Sequence, residues 1–192
     1  MSSFFGPSID FMRALGRKPE RLIPWANTGT LPQYDCYLRR NPEMWSRPDD
    51  LGPVVIHRSD EKELRRLFFK ARSQYRSEAS DYWDDILPGD CEDQCLWYVR
   101  SVAHGEDLRW SVYVAANLRL VVCRMKGKDK WHALLVLDDY YRGSVRQRII
   151  DFRMTAPLLP VNHPAFDDYD GWRMLKSGSN QWLACAKVKV LK

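Results

Sequence analysis

The sequence predicts an α+β fold with helices first and an antiparallel sheet after them. Two stretches before Gly105 carry apolar residues at three- and four-residue spacing, and beyond it the apolar period falls to two. The first 58 positions are crowded with Pro, Trp, Tyr and Arg, so the chain divides into an irregular arm over 1–58, packed on a domain over 59–192.

A length of 192 residues suits one domain able to bury a core, and 45% hydrophobic with 12% aromatic residues is a globular composition. The net charge of +5 is mildly basic, but 25 acids lie among 30 bases, so no nucleic-acid partner is expected. No window approaches 18 apolar residues, and no membrane span is expected. The start, "MSSFFGPSIDFMRALGRKPERL", lacks a long apolar stretch behind a basic head, which reads as no secretory signal. The five cysteines (Cys36, Cys91, Cys95, Cys123 and Cys185) are odd in number and scattered. Free thiols in a reducing compartment follow, and with them a cytoplasmic or virion- or effector-associated location.

In the arm, prolines at 24, 32, 42, 48 and 53 argue against long regular elements, apart from a short helix near Ser8 to Leu15. From Ser59, "SDEKELRRLFFKARSQYRSEAS" offers a capping serine, acids in the first turn, and Leu64, Leu67, Phe68, Ala71 and Tyr75 at helical spacing. Arg65, Arg66, Lys70, Arg72 and Arg76 then form a solvated face, with a nucleic-acid groove as the lesser alternative.

The stretch "PGDCEDQCLWYVRSVAHG" predicts a second helix. Asp90 caps it, Asp93 stands three residues on, and Cys91, Cys95, Tyr98, Val99 and Val102 share a face. Gly105 is expected to end it as a left-handed C-cap. The strands expected beyond are "RWSVYV", "LRLVVCRM", "WHALLVLD", "RQRIIDF" and "WLACAKVKV".

A cysteine at a helix start between three acids raises the question of chemistry. A thiol nucleophile needs a base, and the base an orienting partner. His104 ends the cysteine's own helix, about 20 Å away at 1.5 Å rise per residue. His57 and His163 lie in irregular chain, and His132 opens a strand of the sheet on which the helix should pack. A hairpin folding near Tyr141 and Arg142 sets Asp151 opposite His132, about 5 Å apart at Cβ. Asp138 and Asp139 lie roughly 20 Å along His132's own strand. Each piece has a plain structural alternative: a helix-start cysteine, a half-buried histidine, a turn-forming aspartate.

"GDCED" opening a helix, a strand-opening "HALLVL" and "IIDF" together resemble the bacterial transglutaminase-like cysteine proteinases of the wider papain-like and transglutaminase group. The likeness runs from about Trp83 to Phe152. It implies a cysteine helix packed on an antiparallel sheet, with Cys91 as nucleophile, His132 as base and Asp151 as orienter. A peptide or protein substrate follows.

Asp90, Glu92 and Asp93 oppose thiolate formation, each costing on the order of 1–3 kcal/mol at about 6 Å and an effective dielectric near 20. A bound cation would remove that penalty, and clustered carboxylates are ligands that calcium prefers. Some proteinases of the resembled family bind calcium at these acids. Asp90, Glu92 and Asp93 are therefore candidate calcium ligands, with no cofactor required; otherwise the aspartates merely cap and Glu92 pairs with an arginine. Zinc at Cys91 and Cys95 is disfavoured, since C-x3-C within one helix is not a knuckle spacing.

The expected activity is a thiol hydrolase acting on peptide, isopeptide or amide bonds through an acyl-enzyme; transglutamination and deamidation share that intermediate. The alternative is a catalytically silent or weakly active fold serving binding or assembly, with the arm and "PVNHPAFDDYDGWRMLKSGSNQW" as docking surfaces.

Overall fold

The computed structural model describes residues 20–41, 54–78, 82–105, 111–141, 144–176 and 180–189. The short helix expected near Ser8 to Leu15 lies outside them. Mixed helix and antiparallel sheet is the architecture, so the α+β class stands.

Seven strands make one sheet: β1 (Glu20–Thr30), β2 (Leu118–Met125), β3 (Trp131–Tyr141), β4 (Ser144–Ile150), β5 (Leu159–Pro160), β6 (Tyr169–Leu175) and β7 (Gln181–Lys189). Their spatial order is β1-β7-β6-β2-β3-β4-β5, with every neighbouring pair antiparallel. The Leu22 backbone N–H of β1 nevertheless donates to Gln147 Oε1 of β4 at 2.7 Å, so the sheet curls until its first strand reaches its last long one.

The curl gives the sheet an inside and an outside. Leu22, Val121, Cys123, Leu134, Val136, Ile149, Phe166, Trp172 and Met174 fill the concave side. Their alternates, among them Leu120, Val122, Ala133, Leu135 and Ile150, face the helices. This is the two-residue side-chain period of a strand buried on both faces.

Among the described residues four helices supply the second layer: α1 (Pro32–Arg40), α2 (Arg58–Arg72), α3 (Cys91–Ala103) and α4 (Ser111–Ala116). Leu64, Leu67 and Phe68 of α2 and Cys95, Tyr98, Val99 and Val102 of α3 enter the core on the helical side. The Tyr98 hydroxyl donates to Leu64 O at 3.0 Å, and Gln94 Nε2 to Ala71 O at 2.7 Å, which fixes α3 against α2.

Several expectations are corrected. Residues 20–40 are not irregular arm: β1 pairs along β7, and α1 buries Tyr34, Tyr37 and Leu38. The prolines are accommodated, Pro24 beside a register shift and Pro32 at the start of α1, where a missing N–H breaks no helical bond. The division at residue 58 therefore does not separate arm from domain, since β1 belongs to the sheet. Helix α2 starts at Arg58, with Asp60 accepting the His57 backbone N–H at 2.9 Å, so Ser59 is inside the helix and not its cap. It ends at Arg72, and Tyr75 instead bridges to Gly89.

Helix α3 ends on His104 rather than on a left-handed Gly105; among the described residues the positive-φ glycines are Gly29, Gly127 and Gly171. Of "RWSVYV", the described part is not a strand: Ser111–Ala116 is helical, burying Val114 and Ala115, with the Asn117 N–H closing on Val114 O. Here burial overrides strand propensity. Strand β6 is not among the expected strands; the Gly171 kink (φ 58°), opposite a register shift in β2, breaks the alternation by which the sequence would show it.

Candidate functional site

Helix α3 is aimed by the turn before it. Asp90 caps it, and Asp93, 1% exposed, accepts the backbone N–H groups of Asp84 at 2.7 Å and Asp90 at 3.3 Å. Gly89 lies so close beneath Asp93 that a Cβ there would stand 2.5 Å from Asp93 Cβ. The glycine of "PGDCED" is thus what lets the capping aspartate sit down on the turn. Cys91 follows as the first helical residue, and its backbone N–H belongs to the free first turn.

The sulfur lies at an interruption in the sheet. Strand β4 pairs with β3 from Tyr141↔Ser144 as far as Leu135↔Ile150 and then stops. Beyond that point the Ala133 backbone N–H donates to Cys91 Sγ at 3.4 Å. The thiol in turn donates to Glu92 Oε2 at 3.1 Å.

His132 holds Asp151 through Nε2···Oδ1 at 2.8 Å, both side chains buried. The pairing expected from the sequence is present, although by a different register. Paired residue numbers in the hairpin sum to 285 rather than 283, so Arg153, not Asp151, is the formal continuation opposite His132. The error of two keeps the same face, and the chain leaves its strand at Asp151. Ile150 and Phe152 on either side lock into the helical core, Phe152 stacking on Phe68 at 5.4 Å and meeting Tyr98 at 5.6 Å. Asp151 is left pointing the other way.

Asp151 has two more donors. The Arg153 backbone N–H reaches Oδ1 at 2.9 Å, and the Tyr169 hydroxyl reaches Oδ2 at 2.7 Å. Burial opposes ionisation of this carboxyl, but the bond and charge of His132, then the other two donors, outweigh it and hold its pKa below the usual value. With Nε2 committed to a carboxylate, Nδ1 is the ring nitrogen left for a substrate or a thiol.

The ring and the sulfur come from different faces of β3. His132 is opposite Cys123 and alternates with Leu134, which puts it on the concave face; α3 packs on the Ala133 face. The helix packs on the sheet that His132 opens, as the sequence leads one to expect, but on the face opposite to the imidazole. The two residues nevertheless line one cavity of about 920 Å³, together with Gln33, Trp83, Asp90, Glu92, Trp131 and Arg173, at the stretch of β3 that β4 leaves unpaired. Among the described residues Sγ has Ala133 and Glu92 as hydrogen-bond partners, and not the imidazole.

Burial, then the charges of Glu92 and Asp90, drives the Cys91 thiol well above the ordinary thiol pKa, against the help of the Ala133 N–H. Burial also pushes the Glu92 carboxyl up to about 8, aided by its hydrogen bond with Asp90, and that of Asp93 up to about 7.

Of the candidate metal ligands, Asp90 and Glu92 come together with Cys91, their ligand atoms within 4.8 Å of one another. Asp90 Oδ1 is buried without a hydrogen-bond partner, which suits a cation. Asp93 spends its oxygens on backbone N–H groups and is a cap. Cys95 is fully buried in the helical core beneath Cys91.

Tyr169, Arg153 and the Ala133 N–H are the members that sequence reasoning misses. Tyr169 sits at the head of the strand whose alternation is broken, and a backbone donor carries no residue signature at all. Compared with family models, with curated proteins and with solved structures, the chain matches none of them.

Proposed function

We propose that the chain is a thiol hydrolase of peptide, isopeptide or side-chain amide bonds, with the transglutaminase-like and papain-like core that "GDCED", "HALLVL" and "IIDF" resemble. The observation that carries this reading is the buried His132 Nε2···Asp151 Oδ1 bond at 2.8 Å in a residue that shares a cavity wall with Cys91. Cys91 Sγ attacks the carbonyl carbon as its proton passes to His132 Nδ1. The imidazolium is stabilised by Asp151 and then protonates the leaving amine, which gives a thioester on Cys91. Water, or an acceptor amine, attacks the thioester and returns the proton. The Cys91 backbone N–H, free at the start of α3, supplies one oxyanion donor.

The resting thiol bonded to Glu92 requires that a ligand break that contact before attack. Calcium fits this reading as an accessory held by Asp90 and Glu92: it would supply positive charge beside the thiol. Cys91 itself takes no part in that ligation.

The same Glu92 contact favours a second reading, in which the fold serves binding or assembly with its thiol held silent. Turnover of a broad peptide and glutamine-amide library separates them. Loss of turnover in Cys91→Ala and in His132→Ala supports the hydrolase, whereas equal turnover in wild type and Cys91→Ala removes it.

A further inference from the structure

Asp151 Oδ2 faces a tyrosine that the three-residue mechanism leaves idle. Tyr169 is 5% exposed, its hydroxyl stands 2.7 Å from Asp151 Oδ2, and its ring lies 5.7 Å from the His132 ring, centroid to centroid. Arg153 Nη1 reaches the same hydroxyl at 3.1 Å.

We propose that Tyr169, oriented by Arg153, is a positioning residue that fixes the Asp151 carboxylate and through it the tautomer and direction of the His132 ring. This rests on the hydrolase reading of Cys91 and His132. The argument is one of donors and acceptors. A guanidinium has only donors, so the Tyr169 oxygen must accept from Arg153, and its single proton is left for Asp151. An ionised carboxylate has only acceptors, so Oδ1 takes the Arg153 backbone N–H and the His132 Nε2–H while Oδ2 takes the tyrosine. The relay has one consistent set of directions: Arg153 to Tyr169, Tyr169 to Asp151, His132 to Asp151. In the neutral ring it sets the proton on Nε2 and leaves the Nδ1 lone pair free to act as the base.

The position of Tyr169 is itself built. Its ring is wedged between Phe166 at 6.1 Å and Trp172 at 5.7 Å on the concave side, so the hydroxyl has little room to turn away. Without it Oδ2 would be a buried charged oxygen lacking a donor, and the carboxylate would either rotate or protonate. Either change loosens the imidazole. Hydrogen bonds to ligands of a reacting group are worth about 10–100-fold when removed, from the behaviour of outer-shell partners at metal sites.

The test uses the full chain with Cys36, the exposed cysteine, changed to serine. The second-order rate of Cys91 alkylation by iodoacetamide is followed from pH 5 to 9, which needs no knowledge of the substrate. Tyr169→Phe keeps the ring and removes the proton; we expect the rate to fall about tenfold and its acid limb to move up by about one pH unit. Arg153→Gln, at an exposed residue, should shift the limb the same way by less. Leu64→Ala truncates the core on the helical side, away from the Tyr169 ring, so it should lower the melting temperature and leave the limb in place. An unmoved limb in both Tyr169→Phe and Arg153→Gln, with His132→Ala still slowing alkylation, overturns the role of Tyr169 alone. A rate that does not respond to His132→Ala overturns the hydrolase reading and the relay with it.

Discussion

Ala133 gives its backbone N–H to Cys91 Sγ at 3.4 Å, at a place on β3 where the pairing with β4 has already ended. A sheet continued by one more residue pair would cover that edge and close the cavity. The early stop of β4 therefore makes the site: it frees a donor, admits the tip of α3 and lets Asp151 leave its strand toward His132.

The thiol is held down by its own neighbour. Glu92 accepts the Cys91 proton, and its charge adds to burial in raising the thiol pKa. Replacing it with a neutral amide removes the charge and keeps the shape. Glu92→Gln, in a Cys36→Ser background, should raise the iodoacetamide alkylation rate of Cys91 at pH 9, above the carboxyl's own pKa of about 8, by about threefold, on the order of 1 kcal/mol of relieved repulsion. A slower or equal rate would show that Glu92 does not restrain the thiolate.

Asp151→Asn tests the histidine directly. An amide can present either its oxygen or its NH2 to His132 Nε2, and the second choice turns the ring nitrogens' roles around. Donors face both carboxyl oxygens, so either amide orientation sets the NH2 against one of them, and the charge that stabilises the imidazolium is gone in both. Turnover, wherever a substrate is found, should fall by about 10²–10⁴-fold with the fold retained. Circular dichroism beside the rate measurement separates loss of chemistry from loss of structure.

Much of this was legible in the residues, and what was not has specific causes. Asp90 and Asp93 spell a helix start at Cys91 because caps are local. "LRLVVCRM" spells β2 in full, since its central run Leu120, Val121, Val122 and Cys123 is buried on both faces of the sheet. The His132–Asp151 pair came through a register that was off by two, because parity and not exact pairing decides the face. Asp139 suits that register: it lies opposite Arg146 and accepts its Nε at 2.9 Å and its Nη2 at 2.8 Å, a two-donor pair that a hairpin one step back would break. β1 was hidden by Pro24, whose cost disappears beside a register shift, and β6 by the kink at Gly171. That ring and sulfur belong to different faces of β3 could not be read, because it depends on where β4 stops.

Calcium offers a further check on the acids. With Asp93 committed to the cap, the cation has Asp90 and Glu92, and must displace the proton that Glu92 keeps up to about 8. Millimolar calcium at pH 8 should raise the melting temperature of wild type and leave that of Glu92→Gln where it was. Identical melting of wild type in calcium and in chelator would remove the cation from the site.

Gly89 is the mechanical support of the cap. A methyl group added there meets Asp93 Cβ at 2.5 Å and Oδ2 at 2.7 Å, and Asp93 is buried with no room to retreat. Gly89→Ala should cost about 1–3 kcal/mol, the usual range for forced overpacking. The strain falls on the turn that aims Cys91, so alkylation should change along with thermal stability. A variant with wild-type melting and wild-type alkylation would mean that Asp93 can give way.

The buried carboxyls also set the pH at which the fold is firmest, because they shift in opposite directions. Asp151, with its pKa lowered in the fold, adds stability that is complete above its unfolded value of about 3.9 and is lost as the pH falls through the folded one. Glu92 and Asp93, with theirs raised to about 8 and about 7, add stability that is complete below their unfolded values near 4. That contribution drains away as the pH rises through the folded pKa values, since the unfolded chain ionises freely while the folded one resists. The two trends cross in the weakly acid range, so the melting temperature should peak at about pH 4–5, below the usual pH 5–8 maximum. Glu92→Gln removes the larger part of the alkaline loss and should move the peak toward neutrality while raising the melting temperature at pH 8. A wild-type maximum at pH 7 or above would mean that the Glu92 and Asp93 carboxyls ionise in the folded protein as readily as in water.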